Sequence, residues 1–393
     1  MRNIKTILLL CLTALLSCNS KKITTDNMIS RGVNSDPTYF PIAVWLQNPS
    51  DAIDYKSYGI NMYVGIHGGL DQNKFDLLKD ADMNVIAHQN EFGRNNLSEP
   101  LIYAWMHGDE PDNAQWNPDK NKYDPCIDPT KIIEDYNELK LSDPTRPVYL
   151  NLGRGVAVND WIGRGECTSN IDMYKISHNG YLKGCDIASF DIYPVNSNEK
   201  EVKENLWYVA KGIDNLLEWS EYSKPVWCWI ETTIIGDKGF GSRKPTPEEV
   251  KAQVWMAIIH GASGIGYFCH SFVEPSDPAA LLHDEVMISA IKEVNMQITE
   301  LAPVLNSSTI TDYIEITSSN TEIPIDFITK RIGETFYVFA VSMRRGNTTA
   351  TFKIKDEKKV YVLGENREIK FGKDKIFIDQ FSDYEVHIYK ITN

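Results

Sequence analysis

The sequence predicts an α/β fold: a (β/α)8 TIM barrel followed by a small C-terminal antiparallel β-sandwich. Three observations predict it. Short apolar runs alternate with amphipathic segments eight times, the intervening segments carry helix start signals, and after Pro303 the apolar period changes to two.

Taken in order, the eight runs are Pro41–Leu46, Ile60–Ile66, Met83–His88, Ile102–His107, Pro147–Leu152, Ile187–Tyr193, Pro225–Ile230 and Gly264–Phe268. They are rich in Val, Ile, Tyr and Trp, as strands buried on both faces of a parallel sheet are. Between them, Asp128-Pro129 supplies an N-cap acid and an N1 proline, and Ile132, Ile133, Tyr136 and Leu139 follow at helical spacing. Thr246-Pro247-Glu248-Glu249 is a capping box with Pro at N1, followed by the apolar face Val250, Val254, Trp255, Ile258 and Ile259. Trp207 to Trp219 is a further amphipathic stretch. A doubly wound open sheet is the alternative, but no GxGxxG or GxxxxGK[ST] follows an early strand. From about residue 307 onward, Phe336–Val341, Ala350–Ile354, Lys359–Leu363 and Val386–Ile391 alternate at period two, with turn signals such as Arg345-Gly346-Asn347 between runs.

The N-terminus predicts export. Arg2 and Lys5 precede an apolar run from Ile7 to Leu16 that is too short to span a bilayer. Leu15-Leu16-Ser17-Cys18 resembles a bacterial lipobox, in which Cys18 is lipidated. The expected organisation is a signal peptide over 1–18, a polar tether over 19–37, a barrel over 38–303 and a β-sandwich over 304–393. The expected location is the bacterial cell envelope, held to the membrane through the N-terminal lipid alone. Of the remaining cysteines, Cys126 and Cys167 lie in loop-like sequence where a disulfide can form, whereas Cys228 and Cys269 sit in apolar runs. No CxxC spacing suggests a zinc site, and no cofactor is expected.

Lys and Arg number 40 against 54 Asp and Glu, a formal net charge of −14. That balance disfavours nucleic acid as a partner. It leaves carbohydrate open, and the nine Trp suit the apolar faces of sugar rings as well as a core.

Catalytic residues of a barrel sit at the C-terminal ends of its strands. The fourth run ends Trp105-Met106-His107-Gly108-Asp109-Glu110-Pro111 and the seventh Trp227-Cys228-Trp229-Ile230-Glu231-Thr232. Each places a Glu at the barrel mouth, and two carboxyl groups flanking one bond are what glycoside hydrolysis requires. Alone, either Glu is as well explained as a strand-end acid that caps a helix or pairs with Arg. The pair resembles clan A glycoside hydrolases, with Asp109-Glu110-Pro111 and Glu231 in the positions of that clan's acid/base and nucleophile.

The resemblance covers roughly residues 38–303. It implies a retaining enzyme acting on a β-linked polysaccharide or oligosaccharide, with Glu110 as acid/base, Glu231 as nucleophile and Tyr193 donating to the nucleophile. One departure is Asp109, where the clan usually has an Asn that donates to a sugar hydroxyl; an ionised Asp only accepts. Trp229 shares strand parity with Glu231 and either floors a sugar subsite or fills the barrel. Trp45, His67, His107, Asn151 and His270 lie near strand ends, within reach of substrate hydroxyls or satisfied structurally. Arg154, Trp161 and Arg164 occupy the loop after the fifth run. The loops Asp112 to Asp128 and Gly153 to Asn170 are long enough to wall a groove, which favours action within chains. Two rivals remain: a metal-dependent barrel hydrolase, for which the histidines are scattered, and a non-catalytic glycan-binding surface lipoprotein.

Overall fold

The structure, a computed structural model, describes residues 36–168, 170–236, 243–355 and 358–393. The signal segment, Cys18 and most of the expected tether lie outside the described residues.

Eight parallel strands close into a barrel in chain order: Ile42–Trp45, Met62–Val64, Asn84–Ala87, Ile102–Met106, Val148–Leu152, Ile187–Asp191, Val226–Glu231 and Gly264–Phe268. Each falls on one of the eight apolar runs. The last strand pairs with the first, Ile42 against Ile265, which closes the ring. Helices on the outside begin where their caps predict. The Asp128 carboxylate accepts the Thr130 N–H at 2.8 Å to start Pro129–Ser142. Thr246 and Glu249 complete a reciprocal capping box at the start of Pro247–Ile259.

Alternate strand residues face inward. Inside the barrel lie Ala43, Trp45, Met62, Val64, Ile86, Ala104, Met106, Tyr149, Ile187, Trp227 and Trp229. The strand Gly264–Phe268 makes room for the two large rings beside it. A Cβ at Gly264 would lie 2.5 Å from the Trp227 ring, and one at Gly266 would lie 2.2 Å from the Trp229 ring. The intervening strand residues, such as Val226, Cys228 and Ile230, pack against the helices.

The last barrel helix, Glu285–Leu305, carries Pro303 in its final turn. Beyond it, a three-stranded sheet (Ile314–Ser318, Thr348–Ile354, Ile376–Phe381) faces a five-stranded one (Ile325–Ile332, Thr335–Ser342, Lys359–Val362, Arg367–Ile369, Val386–Thr392). All their pairings are antiparallel. The two sheets share a core of Phe352, Phe377, Phe381 and Tyr389. This sandwich docks on the barrel's outer helices. Trp255 stacks on Phe339 with ring centroids 5.4 Å apart. Arg345 pairs with Glu204 and Glu249 at 2.9 and 2.7 Å.

Candidate active site

The fourth, fifth and sixth strands are neighbours in the barrel, so their C-terminal ends open onto one side of the mouth. Past Met106 the chain keeps following the fifth strand: the His107 N–H donates to the Tyr149 carbonyl and the Glu110 N–H to that of Asn151. Glu110 then turns in the left-handed region with φ of 43°, a conformation that non-glycine residues rarely hold without tertiary support. Its Oε2 accepts Arg164 Nη2 at 2.7 Å and Asn113 Nδ2 at 2.9 Å. Its other oxygen rests over Gly153, where a Cβ would lie 3.0 Å away.

Arg164 is held there by its loop. Its backbone N–H donates to Asn113 Oδ1 at 2.9 Å. A disulfide between Cys126 and Cys167 ties this loop to the one after the fourth strand. That is the pairing left open by the sequence, whereas Cys185, Cys228 and Cys269 are free and buried.

Asp109 and Asp191 join Glu110. Asp109 Oδ1 accepts Asn151 Nδ2 at 2.9 Å, and Asn151 Oδ1 accepts Ser189 Oγ at 2.6 Å. Asp109 is exposed at the barrel mouth. Partial loss of hydration among the surrounding groups and then the neighbouring charge of Glu110 push its carboxyl up to about 7. Asp191, at the inward end of the sixth strand, lies beside Glu110, Asp109 and Tyr193, and its buried Oδ1 has no hydrogen-bond partner among the described residues. Burial first, and then the charges of Glu110 and Asp109, hold its carboxyl well above the usual carboxylate range. Asp112, behind the cluster, accepts the Gly153 N–H and the Tyr174 hydroxyl, each at 2.9 Å, and burial pushes it up to about 7.

Glu231 requires a correction. It has the inward parity of Trp227 and Trp229, as expected, but its carboxylate does not open to the mouth. The residue is 0% exposed. The loop after the sixth strand folds over it, and its oxygens accept the Val195 N–H at 2.7 Å and the Asn196 N–H and Nδ2 at 2.8 Å each. Burial pushes this carboxyl up to about 7 despite those bonds. Tyr193 correspondingly lies beside Asp191, whereas the Glu231 oxygens are taken by the Val195 and Asn196 donors.

Other expected contacts divide in two. Asn151 and Tyr193 join the acid cluster. His270 stands on a nearby aromatic wall, stacked on Phe268 with centroids 5.2 Å apart, and Phe268 in turn meets Tyr193 at 5.2 Å. Its Nε2 faces the Trp45 carbonyl at 3.1 Å, and burial lowers its pKa.

Trp45, Trp229 and His107 are corrected. Trp229 is 2% exposed, donates to the Tyr149 hydroxyl at 2.9 Å and meets Trp45 edge to face at 4.9 Å. These indoles fill the barrel beneath the mouth and offer no face to a ligand. His107 has outward parity and is buried, its Nε2 2.7 Å from the Gly184 carbonyl. It lines a cavity of about 380 Å³ outside the barrel wall, with His88, Arg94 and Asp135. His67 is exposed on the rim of the second strand's loop, where its carbonyl accepts Lys74 Nζ at 3.1 Å.

Sequence reasoning passed over Asp191 as an acid, along with Asn113, Gly153, Ser189 and Phe268. Asp191 carried a readable signal, an acid at the end of an apolar strand in phase with Ile187 and Ser189. Among the described residues, no group of three or more His, Cys, Asp or Glu is placed to hold a metal ion.

No family model matches the chain, and no curated protein matches it. Solved structures do. A variant of AmyP in complex with maltotriose aligns with a TM-score of 0.57 at 10% identity, covering 92% of this chain and 98% of that one. A catalytic mutant of Gan42B, a GH42 β-galactosidase from G. stearothermophilus, aligns at 0.55 with 9% identity, covering 91% and 98%. The α-amylase of Geobacillus thermoleovorans, complexed with acarbose, aligns at 0.51 with 12% identity, covering 92% and 100%. The shared fold therefore extends over barrel and sandwich together.

Proposed function

We propose that the chain is a glycoside hydrolase whose working pair is Glu110 and Asp191. The observation that carries this reading is that two carboxyl groups meet at the mouth in unlike surroundings: Glu110 Oε2 is held by Arg164 and Asn113, whereas Asp191 Oδ1 is buried without a hydrogen-bond partner among the described residues. Two carboxyl groups whose environments differ divide naturally into an acid and a partner. Asp191, half-buried beside like charges, keeps its proton and donates it to the leaving oxygen. Glu110, gripped by the Arg164 guanidinium and the Asn113 amide, attacks the anomeric carbon. In the second step Asp191 takes a proton from water as that water displaces the sugar from Glu110.

Separation of the two carboxyl groups governs the stereochemical outcome. Retaining pairs stand ~5–5.5 Å apart and inverting pairs ~6.5–9.5 Å, to leave room for water. Retention is the outcome we propose for Glu110 and Asp191, which interact electrostatically in one recess. Asp109, held by Asn151 on one oxygen, offers the other to a hydroxyl or N–H of the sugar. These roles reverse the order that strand position alone implied for Glu110, and they leave Glu231 as the clamp on the loop after Asp191.

The test is product analysis on a panel of α- and β-linked polysaccharides and oligosaccharides, with proton NMR of the first-formed anomer. The β-linked members come first, because the clan A resemblance favours them; release of internal fragments marks action within chains. Retention is expected. Inversion defeats the mechanism, and glycan binding without cleavage of any panel member moves the reading to a binding lipoprotein. We also propose that the chain is exported and lipid-anchored at Cys18, so that Cys18→Ala moves it from the membrane to the soluble fraction.

A further inference from the structure

Two aromatic rings on the rim contribute to none of the apolar clusters among the described residues. The loop after the fourth strand folds into a small hairpin, Trp116–Asn117 against Lys122–Tyr123. Trp116 is 51% exposed and Tyr123 42%. Their rings meet edge to face at 5.3 Å. Cross-strand pairing of this kind steadies a short hairpin, yet it leaves much of both rings in water, where apolar surface is disfavoured.

The hairpin is built into the same loops that position Glu110. Gln115 Nε2 donates to the carbonyl of Asp109 at 3.0 Å. The Cys126–Cys167 disulfide closes the hairpin's far end onto the Arg164 loop. Gly165, next to Arg164, packs so tightly that a Cβ there would lie 2.6 Å from Ala114 and 3.5 Å from the Tyr123 Cβ. Across the barrel, the eighth strand and its loop carry the second aromatic group, Phe268, His270 and the 47% exposed Phe272. The acid cluster thus lies between two aromatic rims.

The geometry points to the Trp116–Tyr123 hairpin as a distal subsite that stacks a neutral glycan chain whose scissile bond lies at the acid cluster. This deepens the glycoside hydrolase reading and rests on it. Pyranose rings present apolar C–H faces that match exposed aromatic faces. Neutrality follows from the mouth itself, where the Arg164 guanidinium is already engaged by Glu110 at 2.7 Å and is not left to hold an anionic chain.

The test compares wild type with Trp116→Ala, Tyr123→Ala and the double variant, each checked for an unchanged melting transition. Turnover is measured on soluble neutral polysaccharides and on aryl glycosides of the same sugar. Loss of stacking predicts a drop of about five- to tenfold per ring in kcat/KM on polymer, with the aryl glycoside unaffected. Equal losses on both substrates overturn the subsite, because the hairpin then only supports the Glu110 loop. No loss on either also overturns it, as does a dimer-to-monomer shift in gel filtration, which marks a self-association face.

Native gels cast with a β-glucan, a xylan, a galactan or starch give a readout independent of cleavage. If wild type cleaves nothing, the hydrolase reading fails. Retardation of wild type that the double variant loses still supports the subsite, and no retardation in any gel overturns it.

Discussion

Gly153→Ala isolates the position of Glu110 from the stability of the fold. Gly153 sits just past the fifth strand with φ of −82° and ψ of −172°, a conformation open to any L residue. Alanine therefore brings no backbone strain, and by restricting the unfolded chain it stabilises by about 0.4–1 kcal/mol. The new methyl, however, would lie 3.0 Å from Glu110 Oε1 and 3.4 Å from its Cδ, so the carboxylate must give by a few tenths of an ångström. That displaces it against the 2.7 Å contact with Arg164 on its other side. A misplacement of about 1 Å costs roughly 10²-fold in rate, so a few tenths predict roughly a three- to tenfold loss. The assay is kcat/KM on the best substrate, paired with a urea titration of the same preparation. A loss of activity with an unchanged or higher midpoint is expected. Unchanged kcat/KM would refute the placement of Glu110, and a fall in both quantities would refute the argument that the effect is local.

Two further predictions concern the frame that holds the site. Arg146, 8% exposed, pairs with Asp143 at 2.9 Å and donates to the carbonyls of Ile102, Leu97 and Glu99. Arg146→Ala leaves the buried Asp143 carboxylate without its countercharge, though still hydrogen-bonded by Trp105 and Thr145, and is expected to cost about 3 kcal/mol in urea titration; a change below about 1 kcal/mol contradicts the assignment. His260 lies between Asp214 at 2.9 Å and Asp326 at 3.1 Å, joining two barrel helices to the sandwich. Burial alone would lower its pKa, but the two aspartates outweigh it and push it up to about 9. A folded-state pKa raised this way gives stability that is full below about 6.5 and is lost as pH rises through about 9. Its partners are largely exposed, so the contribution is on the order of 1–2 kcal/mol. The gap in melting temperature between wild type and His260→Gln should therefore be present at pH 6 and gone by pH 10, and a gap of equal size at both contradicts the clamp.

The fold was legible because its signals are local and repeated. Each strand carries its own apolar run, and the caps at Asp128 and Thr246 are complete within four residues. Gly264 and Gly266 are legible in hindsight, since small residues on one strand admit large rings on the next. The site was legible only in part. Strand-end position and parity describe Asp191 and Glu231 equally well, as inward acids at the lips of neighbouring strands. What separates them is the path of the loop after the sixth strand, which brings the Val195 and Asn196 N–H groups over one and leaves the other against Glu110. That path depends on distant contacts, among them the Asn196 side chain bridging Glu231 and the Thr233 carbonyl. His107 was readable, because it follows Trp105 in outward phase. Trp229 was not, because parity gives direction and not depth.

The most direct test of the account compares Glu110→Gln, Asp191→Asn and Glu231→Gln on one substrate, each shown to be folded. Removing either member of the working pair is expected to lower kcat by roughly 10²–10⁴-fold. Glu231→Gln turns one acceptor toward N–H donors and is expected to cost about 1–3 kcal/mol of stability, with kcat of the folded protein within a few-fold of wild type. A folded Glu231→Gln variant without activity, beside an active Asp191→Asn, would contradict the account and return the nucleophile to the seventh strand.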